Sequence, residues 1–258
     1  MTFIILLCGF LCERFFDFSH LRRWNWLTFL QMWLHQRLIK ISPYLVLTIN
    51  MLLPLLLVGW INHLLTGVFY NVFKIIFGLV ILIYCFGPEN FWVWAFKNIS
   101  SAKDLINNPY EKNQNETGSF FVESHDRVFA VMFWFLLLGP VGAVIYRISN
   151  VSKVISLDPK ESFILHEVHA LLDWLPIRIY TFTFAIGGHF AKVLSQWQKY
   201  SLTALRNNQI LLRECGLAAL DLPLTDASQS ENVKRETLIL LDRVYVIVFF
   251  LLALGVII

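Results

Sequence analysis

The chain has 258 residues, 57% of them hydrophobic and 16% aromatic, with only 15% charged and a formal net charge of +3. A soluble domain carries about 25% charged residues, so the apolar excess indicates an all-α, polytopic membrane protein whose first partner is the lipid bilayer. The small charge and the absence of a dense Lys/Arg run exclude nucleic acid as a natural partner.

Residues 1–16 are apolar from the start, without the basic leader or A-x-A site of a cleaved signal peptide. They read as a retained first helix, with Glu13 and Arg14 forming an interfacial ion pair that ends it. Residues 18–41 set Trp26, Phe29, Leu30, Trp33 and Leu34 on one helical face and the basic residues mostly elsewhere, which suits a helix lying on the membrane surface. Residues 43–65 are the clearest crossing and 68–86 the next, joined by a tight hairpin around Gly67. A helical stretch over 91–105 leads to 107–118, NNPYEKNQNETG, which has the composition of an exposed loop.

The run 128–146 has the length of one membrane crossing and is bounded by Arg127 and Arg147. Gly139, Pro140 and Gly142 interrupt it. Such a break is tolerated in a bilayer where neighbouring helices take up the freed backbone groups, so this helix is expected among others rather than in lipid. Pro176 is expected to restart the chain after an amphipathic stretch ending at Trp174. Residues 177–190 would reach only about 21 Å as a helix, short of a bilayer core of about 30 Å, and read as bent, re-entrant or extended by the turn before them.

Residues 191–236 form the largest soluble part, read as a helical hairpin broken around Asn207 and Asn208 and followed by a polar loop over 223–232. Residues 238–258 close the chain as an apolar tail with Asp242 and Arg243 near its start. The expectation is one membrane domain over 1–258 with about four to six membrane helices and soluble segments near 87–126 and 191–237. The positive-inside rule puts 18–41, 87–127 and 191–243 in the cytoplasm. Cys8, Cys12, Cys85 and Cys215 lack CxxC or zinc spacing and read as buried small hydrophobes.

Three groups could carry chemistry. Glu123, Asp126 and Arg127 stand at the mouth of the central run, where charges bind phosphate or metal, or simply start a helix with its dipole favouring the acids. His166, His169 and Asp173 share a helical face at i, i+3 and i+7, a metal-ligand spacing that interfacial polar residues also show. Arg178 offers a planar fork for a carboxylate or phosphate, or a local ion pair with Asp173. No Walker A, GxGxxG, GxSxG or HExxH motif occurs.

The segments FWFLLLGPVGAVIYR at 133–147, Asn150, and LLDWLPIRI at 171–179 resemble the CobD/CbiB-like integral-membrane family. That family includes the cobalamin-pathway enzymes of the CbiB type and the AmpE-type proteins of β-lactamase induction. Enzyme-like sequences follow Val-Glu-Ser with Asn and Asp, whereas this chain has Val122-Glu123-Ser124 and then His125-Asp126-Arg127. They carry an Asp pair where His169 and Ala170 stand, and Thr-Leu-Asp after the Asn where Val151, Ser152 and Lys153 stand. Losing these carboxylates would remove the hard oxygen ligands that Mg2+ prefers.

The resemblance therefore implies the AmpE-type branch: a non-enzymatic inner-membrane signalling or sensing protein of β-lactamase induction, antibiotic resistance and peptidoglycan recycling. No cofactor is expected, and the cytosolic amidase AmpD is the implied partner. Glu123, Asn150, Asp173, Trp174 and Arg178 would line a relic site for an anionic small molecule. The alternative is a divalent-metal-dependent, amide-forming ligase of cobalamin biosynthesis, similar to adenosylcobinamide-phosphate synthase.

Overall fold

A computed structural model describes residues 2–38, 43–65, 71–100, 109–155, 159–201, 207–220 and 230–257. Among them all regular structure is helical. In chain order the helices are α1 (Thr2–Phe15), α2 (Asn25–Leu38), α3 (Pro43–Leu64), α4 (Asn71–Cys85), α5 (Phe91–Ser100), α6 (Pro109–Ser124), α7 (Ala130–Leu138), α8 (Pro140–Ile155), α9 (Pro159–Gly187), α10 (Phe190–Tyr200), α11 (Asn208–Leu220) and α12 (Ser230–Ile257). A short 3-10 turn, Ser19–Leu21, precedes α2, and a π turn, His125–Phe129, joins α6 to α7.

The chain divides into two compact units. The first holds residues 1–90 and 130–172, in which α1 packs on α4 and α7, and α8 packs on α3, α4 and α7. The second holds residues 91–129 and 173–258, in which α6 packs on α5, α11 and α12, and α10 on α11. Two helices are long and apolar enough to cross a membrane, Leu47–Leu64 and Asn232–Gly255, with Val72–Cys85 a shorter apolar one. Of the four to six crossings expected, these are what the described residues provide. Their outward side chains are bare, with Leu56 69% and Phe250 62% exposed, an arrangement that water would penalise and lipid would not.

The expected single crossing over 128–146 is corrected. It consists of the end of the π turn, then α7, then a corner, then α8. Gly139 takes φ +66°, the left-handed conformation that ends a helix at low cost only for glycine. Its N–H still bonds the Phe135 carbonyl at 2.8 Å, and its own carbonyl accepts from Gly142 at 3.0 Å. Pro140 then opens α8, where its missing N–H costs nothing. The corner turns α8 back onto α7 so closely that a Cβ on Gly142 would sit 2.1 Å from the Trp134 carbonyl oxygen.

The restart expected at Pro176 is also corrected. α9 runs unbroken through Pro176 for 29 residues, about 43 Å of helix, so of the alternatives for 177–190 the one extended from the preceding turn holds up to Gly187. A mid-helix proline strips the donor from the carbonyl four residues back. That carbonyl belongs to Leu172, and the Trp134 indole N–H donates to it at 3.2 Å. The loop expected over 107–118 is helical from Pro109 onward, with 107 and 108 outside the described residues. Most of the loop expected over 223–232 also lies outside them, and α12 has begun by Ser230.

Glu13 lies in the last turns of α1, and Arg22 is a partner for it from beyond the helix. The two side chains form a buried two-pronged pair, the Arg22 Nη2–Glu13 Oε2 contact joined by Nη1 to Oε1 at 3.2 Å, and Nη1 also reaches the Gly87 carbonyl at 3.4 Å. Asn90 closes the same helix end, its Nδ2 donating to the carbonyls of Glu13 and Phe16. The cysteines divide: Cys85 and Cys215 are buried, Cys12 is half-buried and Cys8 is exposed.

The corner makes a graded prediction. A Cβ on Gly139 meets nothing within 4 Å, so Gly139→Ala carries only the left-handed strain of about 1–2 kcal/mol. Gly142→Ala must open the α7–α8 contact, and it is expected to lower the thermal midpoint of detergent-solubilised protein well beyond Gly139→Ala, or to abolish folded yield. Equal effects of the two substitutions would contradict this corner.

Candidate metal centre

α6 ends in the buried Ser124, whose Oγ lies 2.8 Å from the hydroxyls of both Tyr180 on α9 and Tyr245 on α12. The Tyr245 hydroxyl also reaches the Ser124 carbonyl at 3.1 Å. This hydroxyl junction satisfies three polar groups in an interior where an unpaired one is costly. Tyr180 also stacks on Phe129, centroids 4.3 Å apart. The end of α6 and the π turn are thereby fixed against α9 and α12.

The π turn begins at the next residue. One extra residue per turn breaks the 3.6-residue stagger, and such insertions concentrate at functional positions. Here it carries His125, wholly buried, and Asp126, half-buried. His125 Nδ1 stands 2.9 Å from Asp126 Oδ1 and 4.0 Å from Asp173 Oδ1 on α9. One ligand atom from each residue lies within 4.8 Å of the others. An ion bound at about 2.2 Å needs donors no more than about 4.4 Å apart, so small side-chain rotations would complete a three-ligand face. One imidazole and two carboxylates suit Mn2+, Co2+ or Zn2+ better than Mg2+, which prefers oxygen donors alone.

The residues singled out in the sequence fall in different places. Glu123 pairs with Arg127 one turn on, Oε2 to Nε 2.5 Å, and Arg127 lies over the Trp94 ring at 5.0 Å. Arg178 does not pair with Asp173, because five residues along a helix is about 140° around it. Instead Nε donates to the Ser201 carbonyl at 2.8 Å, and Nη1 to the Trp174 carbonyl at 2.7 Å and to Asn208 Oδ1 at 3.2 Å. Its guanidinium also covers the Trp174 ring at 4.3 Å. Arg178 is thus a clamp joining α9 to the end of α10 and the start of α11.

Asn150, His166 and His169 belong to the first unit. His169 is buried against Tyr146, with Ser149 Oγ 3.0 Å from Nδ1 and Asn150 Nδ2 3.4 Å from Nε2. Both ring nitrogens have protein partners, while His166 is exposed. Among the described residues, the three metal-ligating side chains that converge are His125, Asp126 and Asp173. Sequence spacing missed His125 because a π turn leaves no periodic signature. Its adjacency to Asp126, with Asp173 48 positions after it, was the available signal.

Comparison with known proteins favours the cobalamin-biosynthesis side of the resemblance. The chain is 34% identical over 105 residues to a cobalamin biosynthesis protein CobD of Chromobacterium violaceum, covering 38% of this chain and 33% of that one. It is 29% identical over 87 residues to a cobalamin biosynthesis protein CobD of Stutzerimonas stutzeri, covering 32% and 29%. The chain thus aligns with about a third of the length of these curated relatives. No family model matches, and no solved structure does. The expectation of a non-enzymatic β-lactamase-induction protein is overturned by these relatives, both named for cobalamin biosynthesis.

Packing of α10 on α11 sets a measurable thiol reactivity. Cys215 on α11 is fully buried and its Sγ lies 3.9 Å from the Val193 carbonyl on α10. Burial, reinforced by Glu214, pushes its thiol up to about 12. Because only the thiolate is nucleophilic, Cys215 is expected to resist maleimide from pH 7 to 9 and to react on unfolding. Labelling followed by peptide mass mapping measures both, and rapid native labelling of Cys215 would contradict the packing.

Proposed function

We propose that this chain is a multi-pass inner-membrane protein of cobalamin biosynthesis, acting as a divalent-metal-dependent, amide-forming ligase. The carrying observation is the 34% identity over 105 residues to a protein of that pathway. The approach of His125, Asp126 and Asp173 supports it, since it restores a metal-ligand set that comparison of motifs alone had treated as lost.

Joining a carboxylate to an amine at the expense of ATP yields an amide, ADP and phosphate, which balances atoms and charge. His125, Asp126 and Asp173 would hold the divalent ion, whose chemistry when bound is to neutralise phosphate charge. The chain's own residues do the positioning. Ser124, Tyr180 and Tyr245 fix the end of α6 and the first residue of the π turn. Asp173 is delivered from α9, whose neighbouring turn is anchored by Arg178 to Ser201 and Asn208. Arg127, pinned by Glu123 and Trp94, adds a fixed cation beside Asp126. In this reading the segments 87–126 and 191–237 face the cytoplasm, where the nucleotide is.

The test is complementation. The full chain, placed in a strain lacking its own CobD-type protein, is expected to restore cobamide production, measured by mass spectrometry of extracted corrinoids. Asp126→Asn with Asp173→Asn should reduce that production by about 100-fold or more and abolish Mn2+ binding to purified protein in titration calorimetry. The reading fails if the wild-type chain accumulates in the membrane without restoring cobamides. It fails equally if the double variant matches the wild type.

A further inference from the structure

A second polar cleft lies in the same unit, at the head of α12. It is lined by Gly187, Gly188 and His189, by Ala219 and Leu220 at the end of α11, and by Glu236, Leu240 and Arg243 on α12, with a volume of about 280 Å³. Glu236, Leu240 and Arg243 stand at i, i+4 and i+7, so they share one face of α12 with the two charges about 10 Å apart along its axis. Both charged side chains are exposed and Leu240 between them is buried.

Arg243 and Glu236 give the cleft one cationic and one anionic side chain, two turns apart on the same helix. The walls are held close: the His189 N–H donates to the Ala219 carbonyl at 3.3 Å, and a Cβ on Gly188 would lie 2.6 Å from that oxygen.

The order of charges along α12 matters as much as their signs. Beyond Arg243, residues 244–255 carry no charged side chain. Those 12 residues cover about 18 Å, the depth of one bilayer leaflet. Val246, Phe250 and Leu254 are exposed along the same side of the helix, at i+3, i+7 and i+11 from Arg243. Going outward from the apolar zone, a molecule in this cleft meets an apolar track, then a cation, then an anion.

We propose that the cleft binds one phospholipid with an ethanolamine-type headgroup: phosphate at Arg243, ammonium at Glu236, and one acyl chain along Val246, Phe250 and Leu254. The sequence apolar, positive, negative is the complement of a lipid's acyl chain, phosphate and ammonium. Glu236 selects a primary ammonium that can donate hydrogen bonds over a quaternary one that cannot. This site shares no residue with the His125 cluster.

Native mass spectrometry of the full chain, released from micelles doped with equal phosphatidylethanolamine, phosphatidylcholine and phosphatidylglycerol, tests it. The wild type is expected to retain phosphatidylethanolamine roughly tenfold over the other two, about the effect of one charge-assisted contact. Arg243→Gln should reduce retention of every phospholipid. Glu236→Gln should erase the preference for ethanolamine over glycerol headgroups. Both side chains are exposed, and unchanged size-exclusion profiles would confirm folding. Equal retention of the three lipids by the wild type, or wild-type preference in both variants, overturns the proposal. Competition by soluble glycerophosphoethanolamine at the same concentration as the lipid would overturn the acyl-chain part. Cobamide production fails or succeeds independently of all these readouts.

Discussion

Trp134 is the residue on which the first unit turns, because two backbone breaks are mended at it. Its carbonyl faces the bare Cα of Gly142, which lets α8 fold back on α7. Its indole N–H donates to the Leu172 carbonyl that Pro176 leaves without a helical donor. In a low-dielectric interior each unpaired backbone group costs several kcal/mol. One side chain therefore supports both the corner between α7 and α8 and the unbroken run of α9. A tryptophan suits this task because it brings a single donor on a large apolar body.

The second unit solves a different problem, that of holding polar side chains in an apolar helical frame. Ser124, Tyr180 and Tyr245 satisfy one another, and Arg178 is taken up by two backbone carbonyls and an amide oxygen. A buried guanidinium without such acceptors would be strongly destabilising. With them it fixes where α9 presents Asp173. The His125, Asp126 and Asp173 cluster is thus placed by groups outside it, which is how preorganised sites are usually built.

Much of this was legible in the sequence. Uninterrupted apolar runs gave α3 and α12, the aromatic stripe gave α2, and the helical hairpin expected within 191–236 is met by α10 packed on α11. What escaped notice has common physical causes. The run 128–146 carries one hydropathy value whether it is straight or folded at Gly139, since hydropathy counts residues and not directions. Pro176 reads as a break because local rules cannot see Trp134, 42 positions earlier in the chain, supplying the missing donor. The polar stretch after Pro109 reads as a loop because its helix is held by partners on α11 and α12 rather than by its own propensity.

The functional misreading has the same origin. Counting carboxylates position by position against an enzyme-like pattern finds acids replaced by His169 and Lys153. Yet coordination depends on which atoms meet, and a single π turn rotates the chain enough to bring His125 beside Asp126 and toward Asp173. A ligand lost at one position can be replaced from another element if the backbone between them changes phase by one residue. His169 shows the converse: it occupies a position where the pattern has an acid, but its ring nitrogens are already engaged by Ser149 and Asn150. The donor set that results exchanges one hard oxygen for an imidazole nitrogen. Under the proposed function, that exchange moves the expected ion from Mg2+ toward Mn2+, Co2+ or Zn2+.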